Sequence, residues 1–225
     1  MKNIAIILLA GDSKRFAYTE AKQFYIINNH PLAYYSIKPL ALSKSIDSLI
    51  IVSKSEDMNR IKEIMDEFNK PVSYVIGGTS RHESVHNALM FLKDKINDDD
   101  NILIHDGARP FLEEEQIKEL LKTLKKYEAA TLAIPLEDTI ALIDDDELSE
   151  VPNRTKYMKI QTPQAFKFKT LLLAHENCHL DATDDSQLCL SIGVKVAIIK
   201  GSKRLNKVTT IEDIANVEEI IKNEF

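Results

Sequence analysis

Short runs of isoleucine, leucine and valine alternate along the chain with longer amphipathic stretches, and this alternation limits the possible folds most. The runs are apolar throughout, which is typical of strands that are covered on both faces. The pattern predicts an α/β fold with a mostly parallel sheet and helices on both of its faces. The strand candidates are Ile4–Leu9, Ser48–Val52, Ser73–Ile76, Ile102–Ile104, Ala130–Ile134 and Val194–Ile199. The helix candidates are Leu32–Leu42, Met58–Phe68, Arg81–Lys93, Glu113–Tyr127, Lys167–Asn177 and Ile211–Ile221.

Charge and cysteine content exclude several classes of partner. The formal net charge is −6, so binding to nucleic acid through a general basic field is not expected, and any anion site must be a local cluster of cations. No apolar run approaches the length of a membrane span, and none predicts a contact with a membrane. The two cysteines, Cys178 and Cys189, are too few for a disulfide framework, which favours reduced thiols and a cytoplasmic location.

Residues 136–157 interrupt the alternation. The segment LEDTIALIDDDELSEVPNRTKY has two short apolar runs around the polar turn DDDE, which predicts a β-hairpin. No helix candidate follows to cover it, and a bare hairpin is only marginally stable. The hairpin must therefore fold over the body of the protein or pack on another subunit.

Ligands of open parallel sheets bind beyond the carboxyl ends of the strands, so the loops after the strands are the places to look for chemistry. The first of these, LAGDSKRFAYTEAKQ at residues 9–23, has one glycine and the cations Lys14, Arg15 and Lys22. Its backbone N–H groups and cations suit a phosphate. The loop is not a P-loop, because no GK[ST] motif ends it. It is not a dinucleotide-binding fingerprint either, because no second glycine follows Gly11 at the required spacing.

Further loops complete this picture. GGTSRHES at residues 77–84 allows a close backbone approach to a ligand, and HDGARPF at residues 105–111 exposes a carboxylate suited to Mg²⁺ together with a further cation. GSKRLNKVT at residues 201–209 is a second basic loop, and the segments at residues 153–166 and 182–188 are also interpreted as loops. Two basic loops and one carboxylate predict a site for a nucleoside triphosphate, Mg²⁺ and a second phosphorylated substrate.

The ordered set LAG…R…KQ, GGxxRxxSV, HDGARPF, EDT, VPNR…QTPQAF, TDDS and NKVT resembles the bacterial 2-C-methyl-D-erythritol 4-phosphate cytidylyltransferases from Ile4 to about Ile214. The resemblance implies a Rossmann-like α/β subunit with one nucleotidyltransferase domain over residues 1–225. It also implies a homodimer clasped by hairpin arms, with residues 136–157 as the arm. The implied reaction transfers CMP from CTP to the phosphate of a sugar-alcohol phosphate and releases pyrophosphate.

The resemblance also implies roles for individual residues of this sequence. It implies nucleotide contacts for Ala10, Gly11, Gly78 and Ser84. It implies charge stabilisation around the α-phosphate for Arg15, Lys22 and Lys207. Asp106 would act in catalysis beside the Mg²⁺ cofactor. It implies acceptor contacts for Arg109, Thr139, Arg154 and Thr183, with Thr139 and Arg154 reaching the partner subunit's substrate.

The chain departs from the family pattern at a few positions. The family usually has a second glycine where Ser13 stands and a proline where Ala21 stands. The last basic loop usually reads Asn-Ile-Lys or Asn-Leu-Lys, whereas this chain has Leu205, Asn206 and Lys207, so the asparagine is displaced by one residue.

Alternative functions remain open from the sequence. The closely related ribitol-5-phosphate cytidylyltransferases share VPNR, whereas ATDDSQL favours the methylerythritol acceptor because it resembles the TDDAS pattern of those enzymes. HENCH at residues 175–179 matches the zinc-peptidase motif H-E-x-x-H, but no histidine follows to supply a third ligand. The retained Arg15, Lys22, Asp106 and Lys207 argue against an inactive regulatory homologue.

Overall fold

The computed structural model of the protein describes residues 1–13, 16, 20–177 and 182–224. Its strands within these residues are β1 (Asn3–Leu8), β2 (Ile26–Ile27), β3 (His30–Pro31), β4 (Ser48–Ser53), β5 (Val72–Ile76), β6 (Asn101–Asp106), β7 (Ala129–Pro135), β8 (Leu142–Asp144), β9 (Glu147–Glu150), β10 (Met158–Lys167) and β11 (Val196–Lys200). Its helices are α1 (Leu32–Leu42), α2 (Met58–Met65), α3 (Arg81–Leu92), α4 (Glu114–Thr123), α5 (Phe168–Asn177), α6 (Asp185–Ser191) and α7 (Glu212–Glu224).

Seven strands form the central sheet in the order β11-β7-β10-β6-β1-β4-β5. All pairs are parallel except those of β10, which runs antiparallel to both β6 and β7. The mostly parallel α/β sheet predicted from the sequence is therefore confirmed. The prediction of a loop over residues 153–166 is wrong, because Met158–Lys167 is an interior strand of this sheet.

Helices cover both faces of the sheet, as predicted. Ala5 and Ile7 of β1 face a core that α1, α2, α4 and α7 share, whereas Ile4 and Ile6 face a second core with α3, α5 and α6. All four side chains are at most 1% exposed. Because successive side chains of a strand point to opposite faces, an uninterrupted apolar run is what a strand between two helical layers needs.

Most predicted elements are present with shifted ends. Helix α1 begins and ends at the predicted residues, whereas α2 and α4 each end a turn earlier than their amphipathic patterns suggest. Ser80 caps α3 by accepting a hydrogen bond from the Glu83 N–H, but the Glu83 carboxylate binds Thr79 instead of completing a capping box. The prediction of a loop over residues 182–188 is also wrong from Asp185 onward, where α6 begins.

The predicted hairpin exists. Strands β8 and β9 pair antiparallel around Asp145 and Asp146, whose φ angles are 44° and 66°. Two successive residues with positive φ match the tight turns that join hairpin strands. All residues of both strands are exposed. Among the described residues, none of the helices is long and apolar enough to cross a membrane.

Candidate active site

A cleft of about 430 Å³ lies at the carboxyl ends of β1, β4, β5 and β6. This is the edge at which the strand-end loops were expected to meet. The predicted site residues that line it are Ala10, Gly11, Lys22, Gly78, Ser84, Asp106 and Lys207. Lys54 and Arg81 also line it, and neither was singled out from the sequence. The available signal was their position: each is a cation within a few residues of a strand's carboxyl end.

The predicted nucleotide-binding residues lie on a wall of the cleft where the first loop and the loop after β5 approach each other closely. A Cβ atom on Gly77 would lie only 2.4 Å from the Cβ of Ala10, so any larger residue would push the first loop away. The Gly78 N–H donates to Ser84 Oγ at 3.1 Å, and this hydroxyl donates to the Ser80 carbonyl at 2.8 Å. The predicted nucleotide-binding residues therefore belong to one connected wall of the cleft.

The first loop is held by Ser13, at the position where the resemblance predicts glycine. Its φ is 54°, in the left-handed region that favours glycine. Its Oγ accepts a hydrogen bond from the Lys22 N–H at 3.1 Å and donates to Gln23 Oε1 at 3.2 Å. Lys22 Nζ in turn donates to the Val208 carbonyl at 3.0 Å. The first and last basic loops thus meet through Lys22, while Arg15 lies outside the described residues.

Asp106 is the centre of charge in the cleft. Its carboxylate lies 2.8 Å from Lys207 Nζ, 3.4 Å from Arg81 Nε and 3.7 Å from Arg109 Nε. Burial opposes ionisation of this carboxyl, but Arg81, Lys207 and Arg109 more than offset it, and they hold its pKa well below the usual range. Asp106 is therefore a carboxylate at all ordinary pH values, and it fixes Lys207 in the cleft.

None of the four predicted acceptor-binding residues lines the cleft. The Arg109 guanidinium is buried, where it contacts Asp106 and donates to the Leu205 carbonyl at 3.2 Å. Thr139 and Arg154 are exposed in the hairpin segment, and Arg154 donates to the Glu137 carbonyl at the base of that segment. Thr183 is exposed just before α6, and its N–H donates to Gln187 at 3.2 Å.

The QTPQ stretch supports the site in a way that the sequence did not reveal. Thr162 Oγ1 accepts a hydrogen bond from the Asp106 N–H at 3.0 Å. The Gln161 amide binds the second basic loop at three points, to the Ser202 N–H, the Ser202 carbonyl and the Leu205 carbonyl. A Cβ on Gly201 would lie 2.1 Å from Gln161 Oε1, so this contact requires glycine. Strand β10 therefore orients both Asp106 and the loop that carries Lys207.

The zinc-peptidase alternative gains no support. Within the described ranges, no group of three or more His, Cys, Asp or Glu side chains is placed to hold a metal ion. His175 is buried and its Nε2 lies 3.0 Å from Asp185 Oδ1. Cys178 and His179 of the HENCH motif lie outside the described residues. Cys189 is a buried free thiol, and burial raises its pKa to about 12.

The buried ring of His105 predicts that the folded protein loses stability in mild acid. Its ring is fully buried, and burial lowers its pKa from 6.5 to about 4 against the opposing charge of Asp106. A lowered folded-state pKa means that the neutral ring's contribution to stability is present above pH 6.5 and is lost as the pH falls towards 4. His82, whose pKa burial also lowers, adds in the same direction.

We expect the free energy of unfolding to fall by roughly 2 kcal/mol between pH 7 and pH 5 on account of His105. Urea denaturation across this range measures it. His105→Gln should make the pH dependence shallower, because position 105 then gains no proton and only the smaller contribution of His82 remains. The depressed carboxyl pKa values of Asp106 and Asp185 act only in stronger acid. An equally steep dependence in the variant would contradict the assignment to His105.

Comparison with known proteins agrees with this architecture. A family model described as 2-C-methyl-D-erythritol 4-phosphate cytidylyltransferase matches residues 3–223. A protein of that name from Thermosipho africanus is 36% identical over 223 residues, which are 97% of this chain and 98% of the relative. One from Thermosipho melanesiensis is 37% identical over 94% of each chain. The solved structure of 4-diphosphocytidyl-2C-methyl-D-erythritol synthase from Anaerococcus prevotii superposes with a TM-score of 0.86 at 30% identity over 98% of each chain.

Proposed function

The chain belongs to the 2-C-methyl-D-erythritol 4-phosphate cytidylyltransferase family, and we propose that the cleft at the strand ends is where its reaction takes place. It is a cytidylyltransferase that moves CMP from CTP to 2-C-methyl-D-erythritol 4-phosphate and releases pyrophosphate. The product belongs to the synthesis of isoprenoid precursors. The ribitol phosphate alternative is not favoured, because the relatives reported above are named for the methylerythritol acceptor or its product.

One observation supports the cleft as the reaction site above all others. Lys22 and Lys207, which are 185 positions apart in the chain, line the same cleft, and both are held in place by hydrogen bonds. Lys22 binds the backbone beside Lys207, and Lys207 binds Asp106. Such fixed cations suit a reaction between two anions, because they offset the repulsion before the reactants meet.

The proposed chemistry is an in-line displacement at the α-phosphorus of CTP. A phosphate oxygen of the acceptor forms the new P–O bond, while the bond from the α-phosphorus to the bridging oxygen breaks and pyrophosphate leaves with that electron pair. No protein nucleophile is needed. Lys22 and Lys207 stabilise the charge on the non-bridging oxygens, and Asp106 keeps Lys207 oriented.

The test of this function is a side-by-side assay of purified protein with CTP and each of the two polyol phosphates. We expect pyrophosphate release with 2-C-methyl-D-erythritol 4-phosphate to exceed that with ribitol 5-phosphate by at least about tenfold, the scale set by a few misplaced contacts in a small site. A preference for ribitol 5-phosphate would overturn the acceptor. No pyrophosphate release with either would overturn the function.

A magnesium ion fits the cleft if it arrives with the nucleotide. Mg²⁺ in nucleotide sites is commonly held by one or two carboxylates together with phosphates and water, and Asp106 supplies one such carboxylate. The other ligands would come from the triphosphate and water. When bound, the ion would neutralise charge on the triphosphate and on the leaving pyrophosphate.

Activity is expected to vanish in excess chelator and to return with added Mg²⁺. Asp106→Asn should raise the Mg²⁺ concentration that gives half-maximal rate and should also lower turnover, since Lys207 loses its ionic partner. Asp47→Asn is a matched control: Asp47 accepts from the Asn3 N–H at the start of β1, at the opposite edge of the sheet. Full activity in excess chelator would remove Mg²⁺ from the proposal.

Residues 136–157 are proposed to act as a dimerisation arm. The side chains that support this are Leu142, Ile143, Leu148 and Val151, each between 57% and 72% exposed. Apolar strands exposed to this degree usually mark a protein interface. A cytoplasmic location is proposed from the low cysteine content.

A further inference from the structure

A polar chain runs from the cleft into the body of the protein between α3, α5 and α6. Arg81, the first residue of α3, lies between two carboxylates: its Nε is 3.4 Å from Asp106 Oδ1 and its Nη1 is 2.7 Å from Asp185 Oδ2. Asp185 opens α6, and its side chain is 1% exposed. Asp185 also lies 3.0 Å from His175 Nε2 on α5. The mechanism above assigns a role to Asp106 alone among these four residues.

The protonation states along this chain follow from its geometry. Burial opposes ionisation of Asp185, but Arg81 and His175 more than offset it, and the pKa of the carboxyl lies below its usual value. An ionised carboxylate only accepts hydrogen bonds, so His175 Nε2 must carry the proton and donate it. The other ring nitrogen, Nδ1, is buried without a hydrogen-bond partner in the described part of the chain. The bond to Asp185 is therefore what orients the ring.

The remaining nitrogen of Arg81 is enclosed. Its Nη2 is buried and has no hydrogen-bond partner among the described residues, so the contacts to Asp106 and Asp185 determine where the guanidinium lies. A guanidinium held by carboxylates on two sides cannot turn freely. Asp185 therefore helps to fix the direction of the Arg81 guanidinium and, through Arg81, the orientation of the Asp106 carboxylate.

We propose that His175 is a positioning residue for the reaction assigned above: by binding Asp185 it fixes Arg81, and Arg81 in turn orients Asp106. The inference rests on the proposed function. Neither His175 nor Asp185 lines the cleft, so both act through Arg81. Without the hydrogen bond from His175, the Asp185 carboxylate can rotate and Arg81 loses its fixed direction. Misalignment of this kind lowers turnover more than it lowers affinity for the nucleotide.

Two variants of similar size separate positioning from packing. His175→Gln keeps an N–H donor that can reach Asp185, whereas His175→Leu fills the space without a donor. We expect kcat to fall about tenfold in His175→Leu, with KM for CTP changed less than twofold, and to fall less than threefold in His175→Gln. His86→Ala is the matched control, because its ring stacks 6.3 Å from that of His175 and its loss leaves the bond between His175 and Asp185 in place.

A double-mutant cycle identifies the route. In an Arg81→Lys background, which keeps a charge and a measurable rate, His175→Leu should lower kcat less than twofold further, because the residue through which it acts is already displaced. Asp185→Asn retains the shape of the side chain and removes the charge that fixes Arg81. Asp185→Asn should show the same tenfold loss of kcat on its own and the same loss of less than twofold in the Arg81→Lys background. It also serves as the second variant if His175→Leu does not fold.

The outcomes are distinct. Equal turnover in wild type, His175→Leu and His175→Gln, with only the melting temperature lowered, would make His175 a packing residue and overturn the inference. A full tenfold loss from His175→Leu in the Arg81→Lys background would also overturn it, because the effect would not pass through Arg81. A wild-type protein that releases no pyrophosphate from CTP would instead overturn the proposed function.

Discussion

Lys22→Ala and Lys207→Ala are each expected to lower kcat by about 10²–10³-fold, the scale for losing one preorganised charge contact at a reacting phosphate. Both ammonium groups are fixed before substrate arrives, Lys22 by the Val208 carbonyl and Lys207 by Asp106. They therefore need little reorganisation during the reaction. Initial rates of pyrophosphate release at saturating CTP and acceptor measure the effect.

Folding should be nearly unchanged in these variants. Lys22 Nζ donates to a backbone carbonyl, and Asp106 keeps both of its arginine partners when Lys207 is removed, so the free energy of unfolding should stay within about 1 kcal/mol of wild type. The matched control is Lys122→Ala on α4. Lys122 is 70% exposed and pairs with Glu119 at 3.0 Å, away from the cleft. Near-normal turnover in both cleft variants, or an equal loss in Lys122→Ala, would contradict the assigned roles.

The sheet and its helices were predictable because buried strands and helices have simple patterns of apolar residues in the sequence. Strand β1 is apolar at every inner position since helices cover both of its faces, and α1 has its predicted bounds. Strand β10 was missed because KYMKIQTPQAF looks like a polar loop with a proline inside. Its buried Gln161 and Gln164 bind Ser202 of a loop and Ser186 of α6 instead of solvent. Its register with β7 shifts between these two residues, on either side of Pro163.

Site residues could be predicted from the sequence where they lie at the end of a strand or in the loop that follows it. Asp106 is the last residue of β6, whereas Gly11, Gly78 and Lys207 lie in loops that follow strands, and all four line the cleft. Arg81 and Asp185 are 104 positions apart and meet only because α3 and α6 begin side by side, which no local pattern records. Arg109 is buried against Asp106 and donates to the Leu205 carbonyl, and its acceptor contact stays a prediction. Contacts between residues far apart in the chain leave no local sequence pattern, so this part of the site could not be predicted.

The last prediction concerns the hairpin of residues 136–157, through which dimer formation would affect enzymatic activity. Its base is tied to its own subunit, since Arg154 donates to the Glu137 carbonyl and Glu137 pairs with Lys203. Its apolar strands are exposed, and pairing across a two-fold axis would bury them and carry each arm to the partner's site. Arg154 would then bind the acceptor phosphate of the other subunit through charge-assisted hydrogen bonds.

In the proposed dimer, Arg154→Ala and Lys22→Ala should each abolish nearly all activity, and mixing the two proteins under conditions that exchange subunits should restore activity. In the heterodimer, the body of the Arg154→Ala subunit receives an intact arm from its partner, so one site is complete. The other site carries both defects. Each heterodimer should therefore approach half of the wild-type rate. Tagged subunits, purified as heterodimers and assayed for pyrophosphate release, measure it. Inactive heterodimers would assign Arg154 to its own subunit's site or to none, and an active monomer would remove the arm from the mechanism.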